Sequence, residues 1–292
     1  MTLAYLAWIT VCIVWGTTYL AIRVALETVP VFLLAGLRWF AAGVMLAGIL
    51  VATGRRLPGR AMWGPLLLLG FLMNVLGNGF VVWGEQYVPS GLTAVVIATV
   101  PFWSVGIEAL LPRGEKFSLR AMIGLLVGFS GIIVLVWPDL TMGGAGGRAF
   151  VTGVLGIQIA CAAWAAGTSY TKRHRLGEDP FAASALQMVF SGIMLLTIAT
   201  ATGEWSALTF TTRSLAALVY LTIVGSLVAY TAYLYAIKHL PISTVSLYAY
   251  INPVIAVVLG AFLLAEPLSP RIFTAAGLVL AGMWVVQTRA KH

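Results

Sequence analysis

Short linkers cut the chain into ten runs of about 20 apolar residues each, a length that matches the hydrocarbon core of a bilayer. The runs lie near positions 3–23, 31–53, 62–83, 90–111, 120–138, 151–171, 181–202, 213–237, 243–264 and 271–290. No other feature narrows the possible folds as far. In lipid only a helix satisfies its own backbone, because an open sheet edge would leave N–H and C=O groups bare. Turn residues mark the linkers: Thr53-Gly54, Pro58-Gly59, Pro89, Pro112, Gly143-Gly144-Ala145-Gly146-Gly147, Pro180, Pro241, Pro267 and Pro270. Composition points the same way. Soluble domains carry roughly 25% charged residues; this chain carries 9%, against 61% hydrophobic, and cannot cover a water-facing surface. The expected fold class is all-α integral membrane, with ten transmembrane helices and the lipid bilayer as surroundings.

The net charge of +8 does not point to nucleic acid, because the basic residues fall in short loops between apolar runs. With the N-terminus in the cytoplasm, the inner segments hold twelve cations: Arg55, Arg56, Arg60, Arg113, Lys116, Arg120, Lys172, Arg173, Arg175, Lys238, Arg289 and Lys291. The outer segments hold three, Arg148, Arg213 and Arg271, while Arg23 and Arg38 lie within runs. Cytoplasmic N- and C-termini are therefore expected, in a multi-pass membrane protein. Met1-Thr2-Leu3 lead straight into the first run with no charged leader and cleavage site, so that run is expected to be retained. Cys12 and Cys161 have no CxxC partner, and His174, His239 and His292 do not cluster, so no disulfide, metal or cofactor is expected.

The chain says much of itself twice. Gly16-Thr17-Thr18-Tyr19 returns as Gly167-Thr168-Ser169-Tyr170. Pro30, Pro89 and Pro101 match Pro180, Pro241 and Pro253; Glu115, Ser118, Arg120 and Gly131 match Glu266, Ser269, Arg271 and Gly282. This predicts a first five-helix repeat over 1–140, a Gly-rich linker over 141–150 and a second repeat over 151–292. Five passes is an odd number, so the second repeat is expected upside down. That explains why the copy ending the sixth run is followed by Lys172, Arg173 and Arg175, and the first copy is not. Inverted repeats around a mid-membrane site are the plan of many secondary transporters.

With these residues in view, the chain resembles the drug/metabolite transporter superfamily, in its ten-span EamA-type branch. Trp15-Gly16-Thr17-Thr18-Tyr19, Leu37-Arg38-Trp39-Phe40, the pair Pro101 and Pro253, and the junctions Glu115-Lys116-Phe117-Ser118 and Glu266-Pro267-Leu268-Ser269 carry the resemblance. Within the branch it is most similar to bacterial amino-acid exporters of the YddG type. The resemblance implies a basket of helices 1, 3, 4, 6, 8 and 9 around a central cavity, with helices 5 and 10 at the periphery. It also implies that Trp103, Trp164, Tyr230 and Asn252 line the cavity.

Residues three and four apart share a helix face. One stripe joins Trp8, Cys12, Trp15, Tyr19 and Arg23; others join Asn74 with Asn78, and Ser226 with Tyr230 and Tyr233; Tyr248 and Asn252 border Pro253. The fourth run carries Thr93, Ile97, Thr99, Pro101, Trp103, Ser104 and Glu108. Polar groups here are expected to face inward, as cavity lining or as bonds between helices. Trp15, Tyr19, Asn74, Asn78, Thr99, Trp103, Trp164, Tyr230, Tyr248 and Asn252 are the candidate substrate-binding residues. Pro101 and Pro253 are candidate breaks or hinges, since each frees the carbonyl four residues back. Arg38 is placed to draw a substrate carboxylate or to hold its helix structurally, and Glu108 is the candidate for proton coupling. The small faces of Gly124, Gly128, Gly131, Gly277 and Ala281 suit close helix packing, in a monomer or a weak homodimer.

Absences narrow the chemistry. The chain has no G-x-x-x-x-G-K-[ST] phosphate loop and no H-E-x-x-H. Buried cations are too few for a sugar-phosphate dianion, and the first run lacks the Glu that a cationic-drug exporter would want. Walls of Trp, Tyr, Thr, Ser and Asn suit a small neutral solute with an apolar part and a polar head. The expectation is export of neutral or aromatic amino acids and related metabolites by alternating access. The alternatives are an exporter of drugs or nucleoside-like metabolites and, in another class, an integral-membrane enzyme acting on lipid.

Overall fold

The computed structural model describes residues 2–112, 118–142, 144–174, 179–240, 242–245 and 247–287. Arg113, Glu115, Lys116, Phe117, Gly143, Arg175, Pro241, Arg289 and Lys291, which enter the charge count, the linker and the repeat above, lie outside the described residues. Regular structure among the described residues is entirely helical. Eight helices are long and apolar enough to cross a membrane: α1 Thr2–Ala25, α2 Val31–Ala52, α3 Arg60–Gly84, α4 Ser90–Leu110, α5 Leu119–Asp139, α6 Gly146–Arg173, α7 Pro180–Ala201 and α8 Thr212–Ala236. Two shorter apolar helices follow, α9 Tyr248–Leu264 and α10 Pro270–Val286, completing ten in the expected order. The surface is apolar where a soluble protein's would be charged: Leu126 is 67% exposed and Phe262 83%.

The ninth helix is shorter than the apolar run foretells. Helix resumes at Tyr248 after a separate turn at Ile242–Val245. Ser and β-branched residues crowd this stretch, and both weaken a helix. The 17 residues of α9 rise about 25 Å, less than a full bilayer core.

Packing follows a pattern that repeats itself. The α2 helix lies along α7, and α5 along α10. The α1 helix packs on α8 and α9, α6 packs on α3 and α4, and α4 meets α9. Adding five to each helix number, counted round ten, exchanges α1–α8 with α6–α3 and α1–α9 with α6–α4 and maps the other three pairs onto themselves. Glycines make the closest approaches possible. A Cβ on Gly43 would stand 2.6 Å from Val189 N, and one on Gly282 would stand 2.5 Å from Gly124 O. The small faces of α5 and α10 are thus largely spent within one chain, although a Cβ on Gly277 would meet nothing within 4 Å.

Two helices carry a π-helical segment among the described residues. Phe71–Asn78 in α3 and Leu221–Val228 in α8 are π-helical, eight residues each and 150 positions apart. The wider π turn shifts the register of side chains beyond it and is rare enough to mark a special position. The α4 helix breaks between Ile97 and Val100, and Pro101 lies in the first turn of its second half, where a missing N–H costs nothing. At Pro253 the outcome differs from the expectation of a break: α9 runs through it, and the interruption precedes Tyr248 instead.

Candidate functional site

Three helices bring an aromatic wall together. Trp15 of α1 stands 5.1 Å from Tyr233 of α8 and 5.1 Å from Tyr248 of α9, ring centre to ring centre. Tyr233 is in turn 6.3 Å from Tyr230 and 6.0 Å from Tyr248. Tilted and edge-on geometries of this kind satisfy the ring quadrupoles. All four side chains sit between helices and are only half-buried. Tyr19, Asn78, Trp103 and Trp164 are half-buried as well. The Trp164 ring lies over Gly77 in the π segment of α3, 3.4 Å from where a Cβ would stand.

The remaining polar candidates are committed to bonds between helices. Asn74 is buried and donates to Ser191 Oγ of α7 at 2.9 Å. Asn252 is buried; with its amide turned so that Nδ2 donates, it reaches Cys12 O of α1 at 2.9 Å and Tyr248 O at 3.1 Å. Thr99, at the break in α4, donates to Val96 O at 2.7 Å and accepts from Gln158 Nε2 of α6 at 3.1 Å. Gln158 Oε1 also accepts from Trp103 Nε1 at 2.7 Å, so one amide ties both sides of the break to α6. The rule that singles out Asn74, an amide inside an apolar run, applies equally to Gln158. Gln158→Leu is expected to leave the Trp103 N–H unpaired. It should cost about 1–3 kcal/mol of stability, read as a lower melting temperature in detergent with a shift of tryptophan fluorescence.

Ionisable groups inside the bundle are few, and Arg38 and Glu108 are bonded. Arg38 is buried, donates from Nε to Ser226 Oγ in the π segment of α8 at 2.7 Å, and lies over its neighbour Trp39 at 4.8 Å. Glu108 accepts from Ser169 Oγ at 2.5 Å and pairs with Arg173 at 2.8 Å, near one end of the bundle. At the opposite end, Glu266 caps α4. Its Oε1 accepts from Ser90 N and Oγ at 2.7 and 2.8 Å, and Oε2 from Gly91 N at 3.0 Å. Close by, Arg23 donates to the main-chain carbonyl of Glu85. By sequence, Gly84-Glu85-Gln86 reads as a loop after an apolar run; in the structure Glu85 is fully buried.

Comparison with known proteins decides the family. A sequence profile of the EamA-like transporter family matches residues 2–137 and again 151–288. The chain belongs to the EamA-like transporter family. It is 34% identical over 275 residues to the "Uncharacterized inner membrane transporter YedA" of Escherichia coli (strain K12), covering 94% of this chain and 87% of that one. It is 27% identical over 280 residues to the "Uncharacterized transporter YvbV" of Bacillus subtilis (strain 168), covering 96% and 90%. A solved crystal structure, 21% identical, superposes with a TM-score of 0.67 over 97% of this chain and 96% of its own, and so shares the fold. The EamA-like chain is thus a multi-pass inner-membrane transporter of the drug/metabolite superfamily rather than an enzyme acting on lipid.

Proposed function

We propose that this EamA-family transporter exports neutral, especially aromatic, amino acids and related metabolites by alternating access. The observation that carries the reading is the half-buried wall of Trp15, Tyr230, Tyr233 and Tyr248, contributed by three helices. Ring faces offer stacking area to an aromatic side chain and hold an ammonium by cation–π attraction. The cation nearest in kind to a carboxylate anchor, Arg38, is already bonded to Ser226, which favours solutes without excess negative charge.

Two inverted five-helix units, over 1–140 and 151–292, supply the machinery in this proposal. Supporting it are the double profile match, the π segments 150 residues apart and helix contacts that map onto one another between halves. The cation count supports cytoplasmic N- and C-termini. The break before Pro101 and the one before Tyr248 are the points where α4 and α9 would bend.

Counterflow in proteoliposomes tests the substrate class. Labelled tryptophan or phenylalanine is expected to exchange, to compete with one another, and to be little affected by glutamate or lysine. Exchange of a nucleoside or a drug with no response to any amino acid would move the protein to the alternative substrate class.

A further inference from the structure

Where α3 ends, the fold buries a carboxylic acid that nothing serves. Glu85 is 0% exposed, and neither Oε1 nor Oε2 has a hydrogen-bond partner. Described acids at the same end are engaged: Glu266 caps α4, Glu204 accepts from Leu33 N at 2.8 Å, Glu27 faces Arg213 at 3.3 Å and Asp139 faces Arg271 at 2.8 Å. A bare ionised carboxylate in a dry site is among the costliest arrangements in a protein, and a protonated one is far cheaper. The titratable and charged groups near enough to act on it electrostatically are Tyr19 and Arg23 from α1, Arg38 from α2 and Glu266 from the α9–α10 connection. Burial pushes the Glu85 carboxyl well above the usual carboxylate range, and Glu266 pushes the same way against the pull of Arg23 and Arg38. Arg23 spends a donor on the Glu85 main-chain carbonyl.

The next residue in the chain, Gln86, is exposed. Gln86 lines an open cavity of about 350 Å³, together with Glu27, Thr28, Glu204 and Thr209, formed by the α1–α2, α3–α4 and α7–α8 connections. Glu108, in contrast, has both oxygens bonded already.

We propose that Glu85 is a proton-binding site that loads and unloads through this vestibule as the transporter changes conformation, and that a pH gradient acts on transport through it. The inference rests on the alternating-access reading above. On loading, a hydrated proton of the vestibule forms an O–H bond with one carboxylate oxygen. On unloading, that bond breaks, the electron pair stays on the carboxylate, the proton returns to water, and Arg23 and Arg38 balance the new charge.

Infrared spectroscopy of the full-length protein in liposomes reads the proton directly. The carbonyl stretch of an un-ionised carboxylic acid is expected at neutral pH, fading as pH rises, absent in Glu85→Gln and kept in Glu108→Gln. No such band in the unmodified protein, or its survival in Glu85→Gln, overturns the proposal. If Glu85→Gln fails to fold, the band and its pH titration in the unmodified protein, with its displacement in Glu85→Asp, decide instead. In a second arm, tryptophan accumulation is measured with and without an imposed pH gradient. The ratio of the two is expected above 1 for the unmodified protein and to fall to 1 in Glu85→Gln, whatever rate remains; equal ratios overturn the proposal. If tryptophan is not carried at all, the substrate reading fails and the infrared result alone decides Glu85.

Discussion

Gly192→Val is expected to destabilise the protein by about 3 kcal/mol or more, enough to prevent recovery of folded material at ordinary temperatures. A Cβ at position 192 would stand 2.5 Å from Phe40 N and 2.6 Å from Phe40 Cα, in the backbone of α2. No rotamer relieves a clash with main chain, so α2 and α7 must separate. Gly43 makes the reciprocal contact on α7, and separation at one position strains the other. Attraction between helices in lipid comes from such packing, because lipid tails are as apolar as the side chains they would replace. Gly48→Val, on α2 with nothing within 4 Å of its Cβ, is the control and should melt within a few degrees of the unmodified protein. Thermal unfolding in detergent compares the three. A normal melting temperature for Gly192→Val would mean that α2 and α7 do not approach as described.

How far sequence reaches is clear from particular residues. The membrane helices were legible because an apolar run has few other fates in lipid. Trp15, Tyr230 and Tyr248 were legible as an inward set because rings at helical spacing, on runs with few polar groups, share a face. Glu85 was not: the signal that it is buried rather than looped lies in Arg23, Arg38 and Glu266, which are distant in sequence and meet it only in the fold. The π segments leave no local signature either. They occur where Asn74 meets Ser191 and where Arg38 meets Ser226, so their register is tied to a neighbouring helix rather than to their own residues. Asn252 shows the limit of the inward-facing rule. An amide that must avoid lipid is equally content in a chamber or bonded to the next helix, and here it bonds to α1 and its own helix.

The second large effect is on transport. Trp15→Ala is expected to lower the counterflow rate of tryptophan by about 10- to 100-fold, while Trp15→Phe lowers it by less than about 5-fold. Each aromatic contact is worth about 0.5–1.5 kcal/mol beyond its area, and Trp15 makes two, to Tyr233 and Tyr248. Those two contacts, about 1–3 kcal/mol together, hold the wall in shape, and in the proposed reading the lost stacking face takes a further share from solute binding, at a factor of ten for each 1.4 kcal/mol. Because Trp15 is half-buried and its removal forces no backbone apart, the melting temperature should fall less than for Gly192→Val. Phenylalanine keeps a ring between α8 and α9 and so keeps the wall. The half-saturation concentration separates the possible causes. A solute bound against the ring predicts that it rises in Trp15→Ala, whereas a ring that only spaces α1 from α8 and α9 predicts a lower maximal rate at unchanged half-saturation. The second pattern would leave the wall as packing and place the solute elsewhere in the bundle.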